Sequence, residues 1–163
     1  MFSRIERKEA FTVVGTQVTA PCECPSPHIP PIVCEYFKNR AAVKNIVSDL
    51  EYGVNVPQEG YKFTYTFGQE VSKVEDIPEG MFATEVEAAD YVVITHKGPM
   101  KTLGDSYKYL FGTWLPQSDY KNVRKPHVEV YGKDFKGADN EESVMEIWCP
   151  IVKKTEKADE NTK

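Results

Sequence analysis

Residues 91–116 read Tyr91-Val92-Val93-Ile94-Thr95-His96-Lys97-Gly98-Pro99-Met100-Lys101-Thr102-Leu103-Gly104-Asp105-Ser106-Tyr107-Lys108-Tyr109-Leu110-Phe111-Gly112-Thr113-Trp114-Leu115-Pro116. The β-branched run Tyr91–His96 has the character of a strand. Gly98-Pro99 breaks it. Beyond the break, Leu103, Tyr107, Leu110/Phe111 and Trp114 recur at helical spacing, and Pro116 closes the helix. Two further strands follow: Pro126–Gly132 (PHVEVYG) and Ser143–Val152 (SVMEIWCPIV), separated by a polar, glycine-containing segment.

The same order occurs upstream. Residues 11–19 (FTVVGTQVT) read as a strand and 20–28 as a loop rich in proline and cysteine. Pro31 then suits the first helical position, Ile32/Tyr36 and Val33/Phe37 share a face, and Lys38 and Arg40 favour the negative C-terminal end. Tyr52–Val56 and Tyr61–Val71 form two strands around the turn Pro57-Gln58-Glu59-Gly60. In the second of them Tyr61, Phe63, Tyr65 and Phe67 point one way, and Lys62, Thr64 and Thr66 the other. Met81–Val86 reads as a short connecting strand.

Strand, helix, strand, strand thus appears twice, over residues 11–71 and 90–152. Neither half readily buries its apolar sheet face alone, so the two should pack as a pseudo-twofold pair. The expected class is α+β: duplicated β-α-β-β halves, antiparallel sheets, two main helices and a central cleft where the halves meet, a usual place for a ligand. Residues 1–152 form the expected single domain. The charged tail 153–163, without aromatics, reads as disordered.

The chain has 163 residues, 40% of them hydrophobic, the size and mix of one globular domain. Lys+Arg 20 against Asp+Glu 25 gives a net charge of −5. That lacks the basic footprint of a phosphate-binding surface, so no direct nucleic-acid binding is expected. No apolar run reaches the ~18–20 residues of a membrane helix, and the N-terminus lacks the apolar region of a signal peptide. We therefore expect a cytoplasmic protein with no membrane partner. Cys22-Glu23-Cys24, followed by His28, lacks the second ligand pair that would complete four zinc ligands, so the cysteines read as free thiols and no metal is expected. Glycine-rich nucleotide loops, zinc-protease and serine-hydrolase motifs are absent, and no cofactor is expected. Aromatics make up 12% of the chain, with Tyr 9 and Phe 8, so much of any pocket lining would be phenolic.

Alternation makes Glu129 share a face with His127 and Tyr131. If that face is solvent, Glu129 is an ordinary polar residue. If it faces the cleft, an unpaired carboxylate there costs several kcal/mol, which a cationic ligand offsets. On the last strand Glu146 and Trp148 share one face, while Met145, Ile147 and Cys149 on the other read as core. Trp148 either stacks a planar or cationic ligand or packs on the second helix. Tyr107 and Phe111, Tyr36 and Phe37, and the row Tyr61, Phe63 and Tyr65 can each reach core or cleft, and periodicity does not say which. His96, before the turn at Lys97-Gly98, reads as a surface or capping residue.

Tyr91–Pro99, the helix ending Trp114-Leu115-Pro116, the Pro126, Glu129 and Tyr131 pattern, and Glu146-Ile147-Trp148-Cys149-Pro150-Ile151 together resemble the GyrI-like small-molecule-binding domain. This domain, of SOUL-like fold, also forms the effector-binding part of bacterial AraC-type and multidrug-responsive transcription activators. The resemblance runs from about Phe11 to Val152 and implies a cleft for bulky, planar or cationic hydrophobic compounds. In it a glutamate matching Glu129 lies at the cleft floor, and the position of Trp148 often holds a ligand-contacting aromatic. The implied ligand-binding set is Glu129, Trp148, Tyr131, Tyr107, Phe111, Tyr36, Phe37, Tyr61, Phe63, Tyr65 and Glu146. No helix-turn-helix segment fits ahead of the first strand, so the expected form is free-standing. Three functions follow from the resemblance. One is a binding protein that senses or sequesters drug-like molecules, alone or beside a transcription regulator. Another is a hydrolase of cyclopropanoid compounds with Glu129 as catalytic acid/base. The last is an inhibitor that binds DNA gyrase.

Overall fold

The computed structural model describes residues 2–23 and 27–155. Its strands are β1 (Ser3–Lys8), β2 (Phe11–Pro21), β3 (Glu51–Gln58), β4 (Lys62–Val71), β5 (Phe82–Val86), β6 (Ala89–Lys97), β7 (Tyr120–Asn122), β8 (His127–Tyr131) and β9 (Val144–Lys153). Helix α1 spans Ile29–Asn39 and α2 spans Leu103–Tyr109, which runs on through a π-helical turn Leu110–Trp114 into Leu115–Gln117. Cys24 and residues 156–163 of the charged tail lie outside the described residues; the start of that tail, Lys153, belongs to β9.

The two β-α-β-β units are present, as β2-α1-β3-β4 and β6-α2-β8-β9. They do not form separate sheets. All strands join one antiparallel sheet in the order β1-β6-β9-β8-β3-β4-β2-β5, with β7 paired to the end of β9. The halves meet where β3 pairs with β8, and there Gly53 stands opposite Glu129. β1 precedes β2 in the chain but pairs with β6, whereas β5 precedes β6 and pairs with β2. Each half therefore lends its leading strand to the far edge of the other. Sequence pattern missed β1 because Ser3-Arg4-Ile5-Glu6-Arg7-Lys8 is mostly charged; pairing with β6, not local propensity, makes it a strand.

Both faces of the sheet are buried, against the expectation of one apolar face. The helix-covered face holds a cluster with Tyr36, Val92, Ile94, Leu110, Ile147 and Cys149. The opposite face holds another, with Tyr52, Val54, Tyr91, Val93, Val128 and Trp148, to which no helix contributes. Instead the sheet rolls onto itself. Phe11 of β2 meets Trp148 of β9 at 6.3 Å between ring centroids. In a flat sheet the intervening β8, β3 and β4 would hold those strands ~19 Å apart, four spacings of ~4.8 Å. Gly15 and Gly68, register partners in β2 and β4, let these two strands approach closely. A Cβ at Gly15 would lie 1.9 Å from the Phe67 carbonyl oxygen, and one at Gly68 2.0 Å from that of Val14.

The helices are pinned to the sheet by buried polar ties. Tyr36 of α1 is fully buried and donates its hydroxyl to Gln69 Oε1 at 2.7 Å, while Thr16 Oγ1 donates to the Ile32 carbonyl at 2.6 Å. His96 is buried rather than at the surface as expected. Its Nε2 lies 3.2 Å from the Pro99 carbonyl, which can only accept, so in the neutral ring Nδ1 accepts the Ser106 hydroxyl at 2.7 Å. This ties β6 to α2 one residue ahead of Tyr107.

Candidate functional site

Glu129 occupies the middle of β8, on the helix-covered face and 9% exposed. Three phenols converge on it. Tyr65 of β4 and Tyr131 of β8 donate to Oε1 at 2.9 and 2.8 Å, and Tyr107 of α2 donates to Oε2 at 2.6 Å. Among the described residues no Lys, Arg or His forms an ion pair with this carboxylate. His127, two residues away on the same strand, is pushed down to about 4 by burial and is neutral at physiological pH. The site is thus a buried carboxyl group held by three phenol donors and, among the described residues, in no ion pair.

Burial first, and the Glu129 charge second, hold the Tyr65, Tyr107 and Tyr131 hydroxyls well above their ordinary range, so they stay protonated donors. Burial also pushes Tyr36, Tyr52 and Tyr91 up to about 12. Below pH ~10 the folded and unfolded chains are equally protonated at these groups. Above it the unfolded chain releases protons that the folded one keeps, so stability falls, by at most about 1.4 kcal/mol per pH unit for each fully shielded tyrosine. The melting temperature followed by circular dichroism should therefore drop steeply between pH ~10 and ~12. A flat profile across that window would contradict the buried phenol cluster.

Around Glu129 opens a cleft of about 1720 Å³ between the sheet and the two helices. Its apolar wall comes from Val33 and Phe37 of α1, Phe63 and Phe67 of β4, Leu103 of α2 and Phe135 of the β8–β9 loop. Arg40, Asp49 and Glu51 also border it. Arg40 lies 3.8 Å from Glu51, whose carboxyl burial holds above its usual range.

Of the residues expected at a site, Glu129, Tyr131, Tyr107, Phe37, Phe63, Tyr65 and Glu146 border this cleft. Tyr36, Tyr61, Phe111 and Trp148 are not part of its lining. Tyr36 is core, packed edge-on against Phe67. Tyr61 precedes β4 in a turn with φ 59°, is 76% exposed, and so leaves the aromatic row. Phe111 stacks outside the cleft between Tyr107 and His127, with centroids at 6.5 and 5.9 Å. Trp148 is buried on the opposite face among Phe11, Tyr52 and Tyr91, with the Lys8 ammonium 4.5 Å from its ring centroid. Its ring packs among these side chains rather than on the second helix. The Glu146 carboxylate is held by Arg4 at 2.9 Å and by the Trp148 indole N–H at 3.1 Å. Sequence reasoning missed Gly53, whose isolated place within a strand pattern was the available signal. It also missed Phe135, in a loop that gives no periodic signal; its ring packs on Tyr131 at 4.9 Å.

The family model of integron-associated effector-binding proteins matches residues 4–151. The chain belongs to that family. The resemblance to GyrI-like effector-binding domains, carried by the second half of the sequence, agrees with it. The transcriptional regulator BrlR of Pseudomonas aeruginosa is 26% identical over 152 residues, 93% of this chain. The chain spans about half the length of that relative, 56%. Among solved structures, SAV2435 bound to tetraphenylphosphonium superposes with a TM-score of 0.76 at 16% identity, over 93% of this chain and 94% of that one. A hydrolase encoded by lin2189 of Listeria innocua superposes with a TM-score of 0.59 at 10% identity, over 92% and 91%. At these identities the likeness establishes the shared α+β fold. Effector-binding family members thus have a ligand-binding role, and among the described residues no helix is long and apolar enough to cross a membrane.

Proposed function

We propose that the cleft binds bulky, hydrophobic, planar or cationic small molecules with Glu129 as their counter-charge, and that the protein senses or sequesters such compounds in the cytoplasm. One observation carries this reading: a buried carboxylate that three tyrosines orient and that, among the described residues, pairs with no cation. Such a charge is costly to keep desolvated, and a ligand cation arriving against it recovers Coulomb energy that water no longer screens. Aromatic walls supply apolar contact, and a cleft of about 1720 Å³ accommodates a large occupant. The tetraphenylphosphonium bound to SAV2435 is a compound of this chemistry. As part of a transcription regulator such a cleft would serve as a sensor, and otherwise it would sequester; the relative BrlR is a transcriptional regulator.

Hydrolysis with Glu129 as acid/base is the weaker reading. A general base needs a free lone pair facing its water, and the three phenols occupy most of those on Glu129. Likeness to the Listeria hydrolase is a likeness of fold, which does not carry an activity with it. No observation favours a gyrase-binding surface.

Calorimetric titration with tetraphenylphosphonium and with neutral triphenylphosphine oxide tests the binding reading. Tighter binding of the cation by at least about thirtyfold is expected from a buried counter-charge. The preference should survive added salt, because a desolvated pair is screened little. Equal affinity for the two compounds would overturn it.

A further inference from the structure

Gly53 lies in β3 directly opposite Glu129 in the β3–β8 register. By the pseudo-twofold relation it holds in the first half the place that Glu129 holds in the second. Where one half presents a carboxylate, the other presents nothing, and the Tyr65 phenol fills the gap. A Cβ built on Gly53 would lie 1.9 Å from the Tyr65 hydroxyl oxygen, 2.4 Å from its Cζ and 2.9 Å from Cε2. Tyr65 is 2% exposed and borders the cleft, so a displaced ring can yield only toward the cleft and away from its place on Glu129. Only a glycine at this position lets the tyrosine reach Glu129.

An ionised carboxylate offers about four lone-pair positions, two on each oxygen. Tyr65 and Tyr131 together take both on Oε1, and Tyr107 takes one on Oε2. The charge remains available to a ligand, while its hydrogen-bonding capacity is almost spent. A cation carrying N–H groups must then bury donors that find few acceptors, a penalty that a quaternary ammonium or phosphonium does not meet.

We propose that Gly53 is a specificity-determining residue: by admitting the Tyr65 hydroxyl to Glu129 it tunes the cleft to permanently charged onium cations without N–H donors, and against protonated amines of the same size. The proposal rests on Glu129 being the counter-charge. Replacing Gly53 by a larger residue expels the Tyr65 ring, frees a lone pair on Oε1 and gives an N–H cation its acceptor.

The test uses a matched pair of monocations at neutral pH, dibenzyldimethylammonium and dibenzylammonium, titrated calorimetrically into the wild type, Gly53→Ala, Tyr65→Phe and Glu129→Gln. The wild type should favour the quaternary ion by about tenfold, the worth of one unmade hydrogen bond. Gly53→Ala and Tyr65→Phe should each bring that ratio to about one or reverse it, an effect that general loss of packing, which weakens both ligands alike, does not produce. If Gly53→Ala alone fails to fold by circular dichroism, Gly53→Ala/Tyr65→Val should fold and show the same lowered ratio. A wild-type preference that persists unchanged in Tyr65→Phe overturns the proposal. Glu129→Gln separates the two readings: weakened binding of both ions with an unchanged ratio in the Tyr65 variant refutes the role of Gly53 alone. Unaltered binding in Glu129→Gln refutes the counter-charge itself.

Discussion

Glu129→Gln should weaken tetraphenylphosphonium binding by about a hundredfold while leaving the fold intact, the loss of ~3 kcal/mol expected when one partner of a buried charge pair is neutralised. Glutamine keeps the shape of glutamate. Its carbonyl oxygen can go on accepting from Tyr65 and Tyr131, and its amide can donate to the Tyr107 hydroxyl once that hydroxyl rotates. The hydrogen-bond count is therefore nearly kept, and what disappears is the charge. In the absence of ligand the variant should be no less stable than the wild type, since an uncompensated buried carboxylate is removed. Calorimetric titration alongside a thermal melt measures both sides. A loss below about fivefold would place the main counter-charge elsewhere, with Asp49 and Glu51 at the cleft border the next carboxylates to replace.

Gly68→Ala should cost at least about 4 kcal/mol of stability, enough to unfold a marginal domain. The added methyl would sit 2.0 Å from the Val14 carbonyl oxygen and 2.7 Å from the Gly15 Cα, both backbone atoms of the paired strand. A side chain can rotate away, but a strand can yield only by breaking its ladder, here the ten-pair β2–β4 register. Gly112→Ala is the contrasting substitution. Nothing lies within 4 Å of the place its methyl would take, and the residue sits in the helical segment. It should be neutral or stabilise by up to ~1 kcal/mol. Urea unfolding of the three proteins checks both, and similar midpoints for wild type and Gly68→Ala would contradict the close contact between β2 and β4.

The repeat was legible because each unit carries its own periodicities. Strand alternation around Glu129 and helical spacing around Tyr107 each needed only a few consecutive residues. Both side chains do meet at the cleft, although no local pattern says that Tyr107 reaches Oε2 while Phe111, one turn on, stacks outside against His127. The charged strand β1 was invisible for the opposite reason. Its pairing partner, β6, lies some ninety positions along the chain, and nothing within Ser3–Lys8 signals it. His96 was misread because a polar residue before Lys97-Gly98 fits a turn, whereas Ser106 and the Pro99 carbonyl satisfy it inside the fold.

By itself the sequence determined the two β-α-β-β units, the α+β class and the grouping of Glu129 with Tyr131 on one face and Glu146 with Trp148 on another. Periods of 2 and 3.6 settle which residues point together. Tertiary structure alone decided which face is cleft and which is core. Alternation assigns side chains to two faces without naming either, and where a rolled sheet buries both, hydrophobicity cannot distinguish them. That is why Trp148 lies under Lys8 on the far side, and why the site depends on the close approach of Tyr65 to Gly53, a contact between strands that no local pattern encodes.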